Sequence, residues 1–413
     1  MPDMFAIRTR DHASRARTGT LALAHGEVRT PAFVPLATRG AVKTLEPRDL
    51  AAVGYELILG NTFHLFLSPG PELIERFGGL HAFMRWHGPI ITDSGGFQVF
   101  SMGHGGVADE IKGRGRGAVA DGASGNRSDG AILEIAEEGV RFRSYLDGSV
   151  KFIGPETSMA IQASLGSDIA LVFDECTPFH VSRDYTARST ERTHRWLERC
   201  LAWHAANGPA GQCVYGIVQG GVEQDLRVAS AEMVAASGCP GVAIGGSLGQ
   251  DKEQMREVVD WTTGALQRVA PDRPRHLLGI GEIDDLIAGV ELGIDTFDCA
   301  VPTRLARHGV ALVPDPHARW RVDLVKSRWR DSQEPVLDGC PCPCCTAGFT
   351  RGYLHYAHRA GEITGARLLT LHNLAFVARL MGDLRSAIDA GALGEVAAAL
   401  RAGGAPGRLG QLR

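Results

Sequence analysis

Residues 214–246, VYGIVQGGVEQDLRVASAEMVAASGCPGVAIGG, hold one complete structural unit. Val214-Tyr215-Gly216-Ile217-Val218 is an apolar run of strand length that stops at Gln219. Glu223 to Ala236 carries apolar residues at helical spacing, and Val242-Ala243-Ile244 is a second run that stops at Gly245-Gly246. Two strands joined through a helix run parallel, because the crossover returns the chain to the same end of the sheet. The pattern repeats in both directions. Leu57-Ile58-Leu59-Gly60 leads to Asn61, Ile90-Ile91-Thr92 to Asp93, Ile169-Ala170-Leu171-Val172-Phe173 to Asp174, His276-Leu277-Leu278 to Gly279 and Thr296-Phe297 to Asp298. Helical patterns fill gaps at Pro155 to Leu165, Arg183 to Ala206, Lys252 to Val269 and Ile283 to Gly293. Strand-then-helix alternation with a polar residue closing each strand is the pattern of an α/β barrel, whose active site lies at the carboxyl ends of its strands. An open doubly wound sheet would show a dominant phosphate loop, and no G-x-G-x-x-G is present.

The chain of 413 residues is 44% hydrophobic, 22% charged and 7% aromatic, the balance of a globular protein. Met1 to Thr18 mixes Asp3, Arg8, Arg10, Asp11, Arg15 and Arg17 with apolar residues, and no run approaches a membrane span, so a cytoplasmic protein with no membrane partner is expected. Forty-three Lys plus Arg against 47 Asp plus Glu give a net charge of -4, so any nucleic-acid surface must be a local basic cluster. One such cluster is the stretch 315–333, where His317, Arg319, Arg321, Lys326, Arg328 and Arg330 are interleaved with Trp320 and Trp329. A Gly-rich stretch at about 103–130, with Lys112, Arg114 and Arg116, reads as a surface loop inserted after the Asp93 strand.

Four of the nine cysteines fall in Cys340-Pro-Cys342-Pro-Cys344-Cys345, which indicates a metal site in a reducing compartment and not a disulfide framework. Cys340, Cys342 and Cys345 give C-x-C-x-x-C, and His372 follows on a helical pattern running from Ala366 to Ile388. Three thiolates and one imidazole would close a tetrahedral Zn2+ shell, leaving the metal a structural role; Cys344 competes with Cys345 for the third thiolate. Asp93, in Thr92-Asp93-Ser94-Gly95-Gly96-Phe97-Gln98, and Asp298, in Phe297-Asp298-Cys299, bring two carboxylates to one rim, able to divide the work of nucleophile and general acid/base.

Taken together, Gly60-Asn61-Thr62-Phe63-His64-Leu65, Asp93 to Gln98, Glu138-Gly139-Val140-Arg141-Phe142, Leu146-Asp147-Gly148-Ser149, Phe173-Asp174-Glu175-Cys176, Gly216 to Gly221, Phe297-Asp298-Cys299, Pro302-Thr303-Arg304 and the cysteine cluster with His372 closely resemble the tRNA-guanine transglycosylases, bacterial type, over nearly the whole chain. The resemblance implies a (β/α)8 TIM barrel with a zinc-binding insertion or C-terminal subdomain. Its expected division is a catalytic barrel over 1–314, a basic and zinc-binding subdomain over 315–385, and a C-terminal helix and tail over 386–413. It implies a homodimer that exchanges guanine at the wobble position of tRNA with a U-G-U anticodon loop for a 7-deazaguanine base. By the same resemblance Asp298 is the nucleophile and Asp93 the general acid/base; Asp174, Gln219, the Gly246 backbone and Ser94 bind the base, Phe97 and Leu278 sandwich it, and Arg304 and Arg307 contact the flanking uridines. A covalent ribosyl-aspartate, as in retaining glycoside hydrolysis, would link the two halves of the reaction.

Two stretches depart from the family pattern. Ser247-Leu248-Gly249-Gln250 is one residue short and lacks a carboxylate beside the 7-substituent of the incoming base. Cys176, however, is typical of members using 7-aminomethyl-7-deazaguanine, which is therefore the expected base, with queuine as the alternative. The 103–130 loop is also longer than most bacterial members carry. Retention of both Asp93 and Asp298 argues against a non-catalytic tRNA-binding homologue; phosphate contacts alone do not distinguish tRNA from DNA.

Overall fold

A computed structural model of the chain describes residues 4–103, 132–178 and 180–407. Eight parallel strands close into a barrel: β1 (Ala32–Ala37), β2 (Ile58–Gly60), β3 (Ile90–Thr92), β4 (Ile169–Leu171), β5 (Cys213–Val218), β6 (Gly241–Ile244), β7 (Arg275–Leu277) and β8 (Thr296–Cys299). Each strand pairs with its neighbours in sequence, and β8 closes on β1 with Thr296 opposite Ala32 and Cys299 opposite Pro35. This is the (β/α)8 TIM barrel expected from the alternation. Helices Pro155–Leu165, Arg183–Asn207, Gln224–Ala236, Lys252–Val269 and Ile283–Glu291 follow the periodicity read from the sequence within a few residues. Lys252–Val269 buries Met255, Val258, Val259, Thr262, Ala265 and Leu266, an apolar stripe at i, i+3, i+4 spacing, and Asp251 caps it by accepting the Gln254 N–H.

The strand the apolar runs do not reveal is β1, Ala-Phe-Val-Pro-Leu-Ala, because Pro35 argues against a central strand. Two antiparallel three-stranded sheets also lie outside the barrel. Phe5–Arg10, Arg17–Leu23 and Gly26–Thr30 form one; Ile132–Ile135, Val140–Arg143 and Val150–Ile153 form the other.

After β8 the chain forms the helix Val301–Arg307, a two-stranded ribbon (Val310–Leu312 with Arg321–Asp323), the cysteine cluster and the long helix Ile363–Asp389. Asn373 of that helix donates to the carbonyls of Pro302 and Val310 at 3.0 Å each and accepts the Leu312 N–H at 2.8 Å, while Leu374 O accepts the Tyr55 hydroxyl at 2.9 Å. Buried and fully bonded, Asn373 fixes the register between the cysteine-bearing segment and the rim that carries Asp298. Among the described residues no helix is long and apolar enough to cross a membrane. The Gly-rich stretch with Lys112, Arg114 and Arg116 lies outside the described residues.

Candidate active site and metal centre

At the carboxyl ends of the strands a cavity of about 240 Å³ is lined by Asp93, Ser94, Phe97, Asp174, Gly246, Leu278 and Asp298, with Asn61, Gln98, Cys176 and Gly279 among their neighbours on its wall. A wider groove of about 1330 Å³ runs along Phe5–Arg10 at the other end of β5, β6 and β7. Its greater size does not make it the stronger candidate: in α/β barrels the chemistry gathers at the carboxyl ends, and of the two only the smaller cavity collects three carboxylates, Asp174 and Asp298 buried and Asp93 half-buried.

Each carboxylate is held by neutral donors. Asp93 accepts the Asn61 amide, the Thr62 N–H at 2.8 Å and the Gln98 amide at 3.2 Å. Asn61 is itself fixed, since its side-chain oxygen caps the helix Thr62–Leu67 by accepting the His64 N–H at 3.0 Å. Burial pushes the Asp93 carboxyl up to about 7, the Thr62 and Gln98 hydrogen bonds work against that rise, and the charge of Asp298 adds to it. Asp174 accepts the Ser94 hydroxyl at 2.7 Å and the Gln219 amide at 2.6 Å; burial still raises it to about 6. Asp298 accepts the Gly279 N–H and the His276 ring nitrogen, each at 3.1 Å, both on Oδ1.

Gln219 stands behind the wall, reaching the cavity through Asp174. Gly246 has φ +82°, and a Cβ there would come within 2.2 Å of the Gln219 side-chain oxygen, so only glycine fits. Beneath these turns lies Arg227, fully buried, donating to the carbonyls of Gly221 (2.7 Å), Gly245 (2.8 Å), Ser247 (2.9 Å) and Val218 (3.2 Å). Burial pulls its pKa down to about 10 and the Cys176 thiol opposes the fall, so it stays charged at neutral pH, tying the ends of β5 and β6 together. The sequence reading passed over Arg227 and His276. For Arg227 a signal existed: it falls on the buried stripe of its helix with Ser230, Ala231, Val234 and Ala235. His276 sits inside an apolar run, where one polar residue carries no pattern.

Arg304 and Arg307 lie outside this cavity on the helix Val301–Arg307, which leaves the same rim from β8. Burial and the neighbouring Arg304 depress the Arg307 guanidinium, and among the described residues neither arginine pairs with a carboxylate. The basic stretch needs one correction. Trp320 is 2% exposed, packs edge-on against Phe376 and donates its indole N–H to Asp284, while Arg321 is paired with Glu282; these two face inward because the ribbon folds them onto the barrel. His317, Arg319, Lys326, Arg328 and Arg330 remain exposed, and Trp329 carries the Arg328 and Arg351 guanidinia at 4.9 and 4.7 Å from its ring.

In the candidate metal centre, the sulfurs of Cys342, Cys345 and Cys340 lie 3.4, 3.5 and 3.8 Å from His372 Nδ1. Separations of about 3.3 to 3.8 Å are what tetrahedral bonds of about 2.0 to 2.3 Å to one Zn2+ require. His372 donates its Nε2–H to Leu312 O at 2.8 Å, which leaves the Nδ1 lone pair aimed at the thiols. Cys344 instead packs with Val336, Leu354 and Leu369 and is outside the set, which resolves the choice with Cys345. The donor set therefore fits a metal ion.

The profile of the queuine tRNA-ribosyltransferase family matches residues 11–117 and 121–403. The chain belongs to this family. Among curated proteins it is 49% identical to a queuine tRNA-ribosyltransferase of Roseiflexus sp. (strain RS-1), over 94% of this chain and 96% of that one. It is 46% identical to one from Nitrosomonas eutropha, over 94% and 96%, and 43% identical to one from Symbiobacterium thermophilum, over 94% and 88%. Membership in the queuine tRNA-ribosyltransferase family makes it a pentosyl-transferring enzyme of tRNA, and the strand-end carboxylates lie in the part of the chain that the match covers.

Proposed function

We propose that this ribosyltransferase exchanges guanine at the wobble position of tRNA bearing a U-G-U anticodon loop for a 7-deazaguanine base, through two displacements on Asp298. Ionised Asp298 bonds to the anomeric carbon as the carbon–nitrogen bond to guanine breaks; the electron pair leaves with the base, and Asp93 delivers a proton to it. The incoming base then gives its proton to Asp93 and attacks the same carbon, and the carbon–oxygen bond breaks to restore the carboxylate. The observation that carries this reading is the cavity in which Asp93 and Asp298 meet with no lysine or arginine paired to either among the described residues, with Asp93 raised to about 7 so that one carboxyl can serve as acid and then as base.

Asp174, with Ser94 and Gln219 fixing its oxygens, takes the ring N–H and exocyclic amine; the Gly246 backbone reads the carbonyl edge; Phe97 and Leu278 stack on the two faces. The groups on the cavity wall that can carry charge are carboxylates, burial keeping the Cys176 thiol protonated, and a field of that sign favours a cationic substituent, hence 7-aminomethyl-7-deazaguanine. Arg304 and Arg307 contact the flanking uridines, and Lys326, Arg328 and Arg330 grip phosphates. Zn2+ held by Cys340, Cys342, Cys345 and His372 keeps the 315–385 subdomain folded beside the 1–314 barrel, with 386–413 as the closing helix and tail; the enzyme works as a cytoplasmic homodimer.

The test offers labelled guanine, 7-aminomethyl-7-deazaguanine and queuine separately to the enzyme with wobble-guanine tRNA. Incorporation of guanine and the aminomethyl base is expected. Queuine entering at the higher kcat/KM would overturn the choice of base, and labelled guanine entering DNA but not tRNA would overturn the substrate.

A further inference from the structure

The second residue of β7, His276, is fully buried and stands opposite Thr296 in the pairing of β7 with β8. Its Nδ1 lies 2.9 Å from the Thr296 hydroxyl and its Nε2 lies 3.1 Å from Oδ1 of Asp298. Thr296 and Asp298 are two apart on one strand and so face the same side of the sheet, which lets one imidazole bridge them. An ionised carboxylate oxygen only accepts, so Nε2 carries the proton in this contact. The Gly279 N–H reaches the same oxygen at 3.1 Å. Among the described residues no donor reaches Oδ2, and the residue opens onto the cavity.

Resting on the reading of Asp298 as nucleophile, we propose that His276 is its positioning residue: held by Thr296, the ring donates Nε2–H to Oδ1 and leaves Oδ2 as the oxygen presented to the sugar. The contact serves both displacements. While Oδ2 bonds to the anomeric carbon and guanine departs with its electron pair, the two N–H groups fix the carboxylate plane so that Oδ2 approaches along one line. When the incoming base attacks and the carbon–Oδ2 bond breaks, the electron pair returns to the carboxylate, and the same donors stabilise the charge that reappears. A lysine or arginine in this place would pair with Asp298 and make it a poorer nucleophile; a uniformly apolar residue would leave its rotamer to chance. Imidazole supplies a directed donor, and β8 itself supplies the hydroxyl that aims the ring.

The experiment measures the single-turnover rate of the denaturation-stable tRNA adduct, and KM for tRNA, in wild type, His276→Leu, His276→Gln, Thr296→Val and Asp298→Asn. In His276→Leu the adduct rate should fall about 10²-fold with KM for tRNA unchanged, the usual size of loss when a reacting group is misplaced by about 1 Å. His276→Gln, whose amide reaches the same oxygen, should recover most of that loss. Thr296→Val keeps the ring and loosens it, so a smaller loss is expected, and this variant answers the question even if His276→Leu does not fold. Wild-type rates in both His276→Leu and Thr296→Val would overturn the positioning role. Loss in His276→Gln equal to that in His276→Leu would also overturn it, because packing and not the donor would then be what matters. An adduct of undiminished yield in Asp298→Asn overturns the nucleophile instead, and that result is distinct from the other two.

Discussion

Buried aspartates stand at both ends of this barrel and are treated in opposite ways. At the amino ends of the strands, Asp295 precedes β8 and accepts Arg17 Nε at 2.9 Å and Nη2 at 2.6 Å, with the Arg275 N–H at 2.7 Å. Asp168 precedes β4 and accepts the Ile90 N–H at 2.8 Å, with His25 at 2.8 Å and His81 at 3.2 Å. Burial raises the Asp168 carboxyl, yet the hydrogen bonds from His81, Ile90 and His25 outweigh it and hold the group below the ordinary range. At the carboxyl ends Asp93 and Asp174 receive hydrogen bonds from neutral groups and, among the described residues, from no cation, and are raised to about 7 and about 6. One residue type is thus a rivet at one end and, on the proposed function, part of the reacting and base-binding site at the other. The difference is the partner: Asp174 is as buried as Asp168 and yet is raised where Asp168 is lowered.

The largest expected effects come from exchanging these fates. If Asp298 is the nucleophile as proposed, Asp298→Asn should reduce base exchange by roughly 10⁴-fold or more, with little change in thermal midpoint. Asp295→Ala should do the reverse: it leaves the buried Arg17 uncompensated and should cost about 3–5 kcal/mol in urea unfolding, with near-normal turnover per folded molecule. A stable, inactive Asp295→Ala, or an unfolded Asp298→Asn, would erase the contrast.

How much of this contrast the sequence carries depends on what kind of signal each residue leaves. Asp93, Asp174 and Asp298 stand where an apolar run ends, so the strand period exposes them. Asp168 and Asp295 stand where a run begins and look just as polar, and their partners Arg17, His25 and His81 are remote in sequence, so no spacing joins them. β1 is hidden by Pro35, which costs little at this position because parallel neighbours on both sides still hold the strand. The choice of Cys345 over Cys344 needs the turn Pro343–Thr346, which sends adjacent side chains in different directions. Arg227 and His276 are legible only once the strands around them are closed, because a buried polar residue takes its meaning from what it faces.

A sharper test of the comparison is pH. Asp93 titrates at 3.8 in an unfolded chain and at about 7 when folded, so the folded state binds the extra proton between these values. A raised carboxyl gives stability that is complete below about pH 4 and lost as pH rises to about 7. Asp93→Asn removes that dependence while keeping the shape. Its stability relative to wild type should therefore grow from pH 4.5 to pH 8, by up to about 3 kcal/mol at one pKa unit per 1.36 kcal/mol. Urea unfolding at three pH values measures this, and a difference that stays flat across them would mean that Asp93 is not held protonated by its surroundings. Over the same range, wild-type adduct formation should fall above about pH 7, where Asp93, the proposed general acid, loses its proton.

The smallest effect extends the rule about partners to the surface. Arg321 and Arg328 are seven residues apart in one basic stretch, and a sequence gives no reason to separate them. The ribbon pairs Arg321 with Glu282, whereas Arg328 is exposed, lying over Trp329 without a carboxylate among the described residues. A cation already neutralised releases no counterion from tRNA, because its charge is satisfied before the nucleic acid arrives, and only an unneutralised one adds to the salt dependence of binding. Arg328→Ala should therefore lower the slope of log K against log salt by about 1, with a modest loss of affinity at low salt, and Arg321→Ala should leave that slope unchanged. Binding isotherms at four salt concentrations separate the two. Equal slopes for the two variants would show that pairing with Glu282 yields when tRNA binds, and the distinction between rivet and reagent would then hold only for groups buried in the barrel.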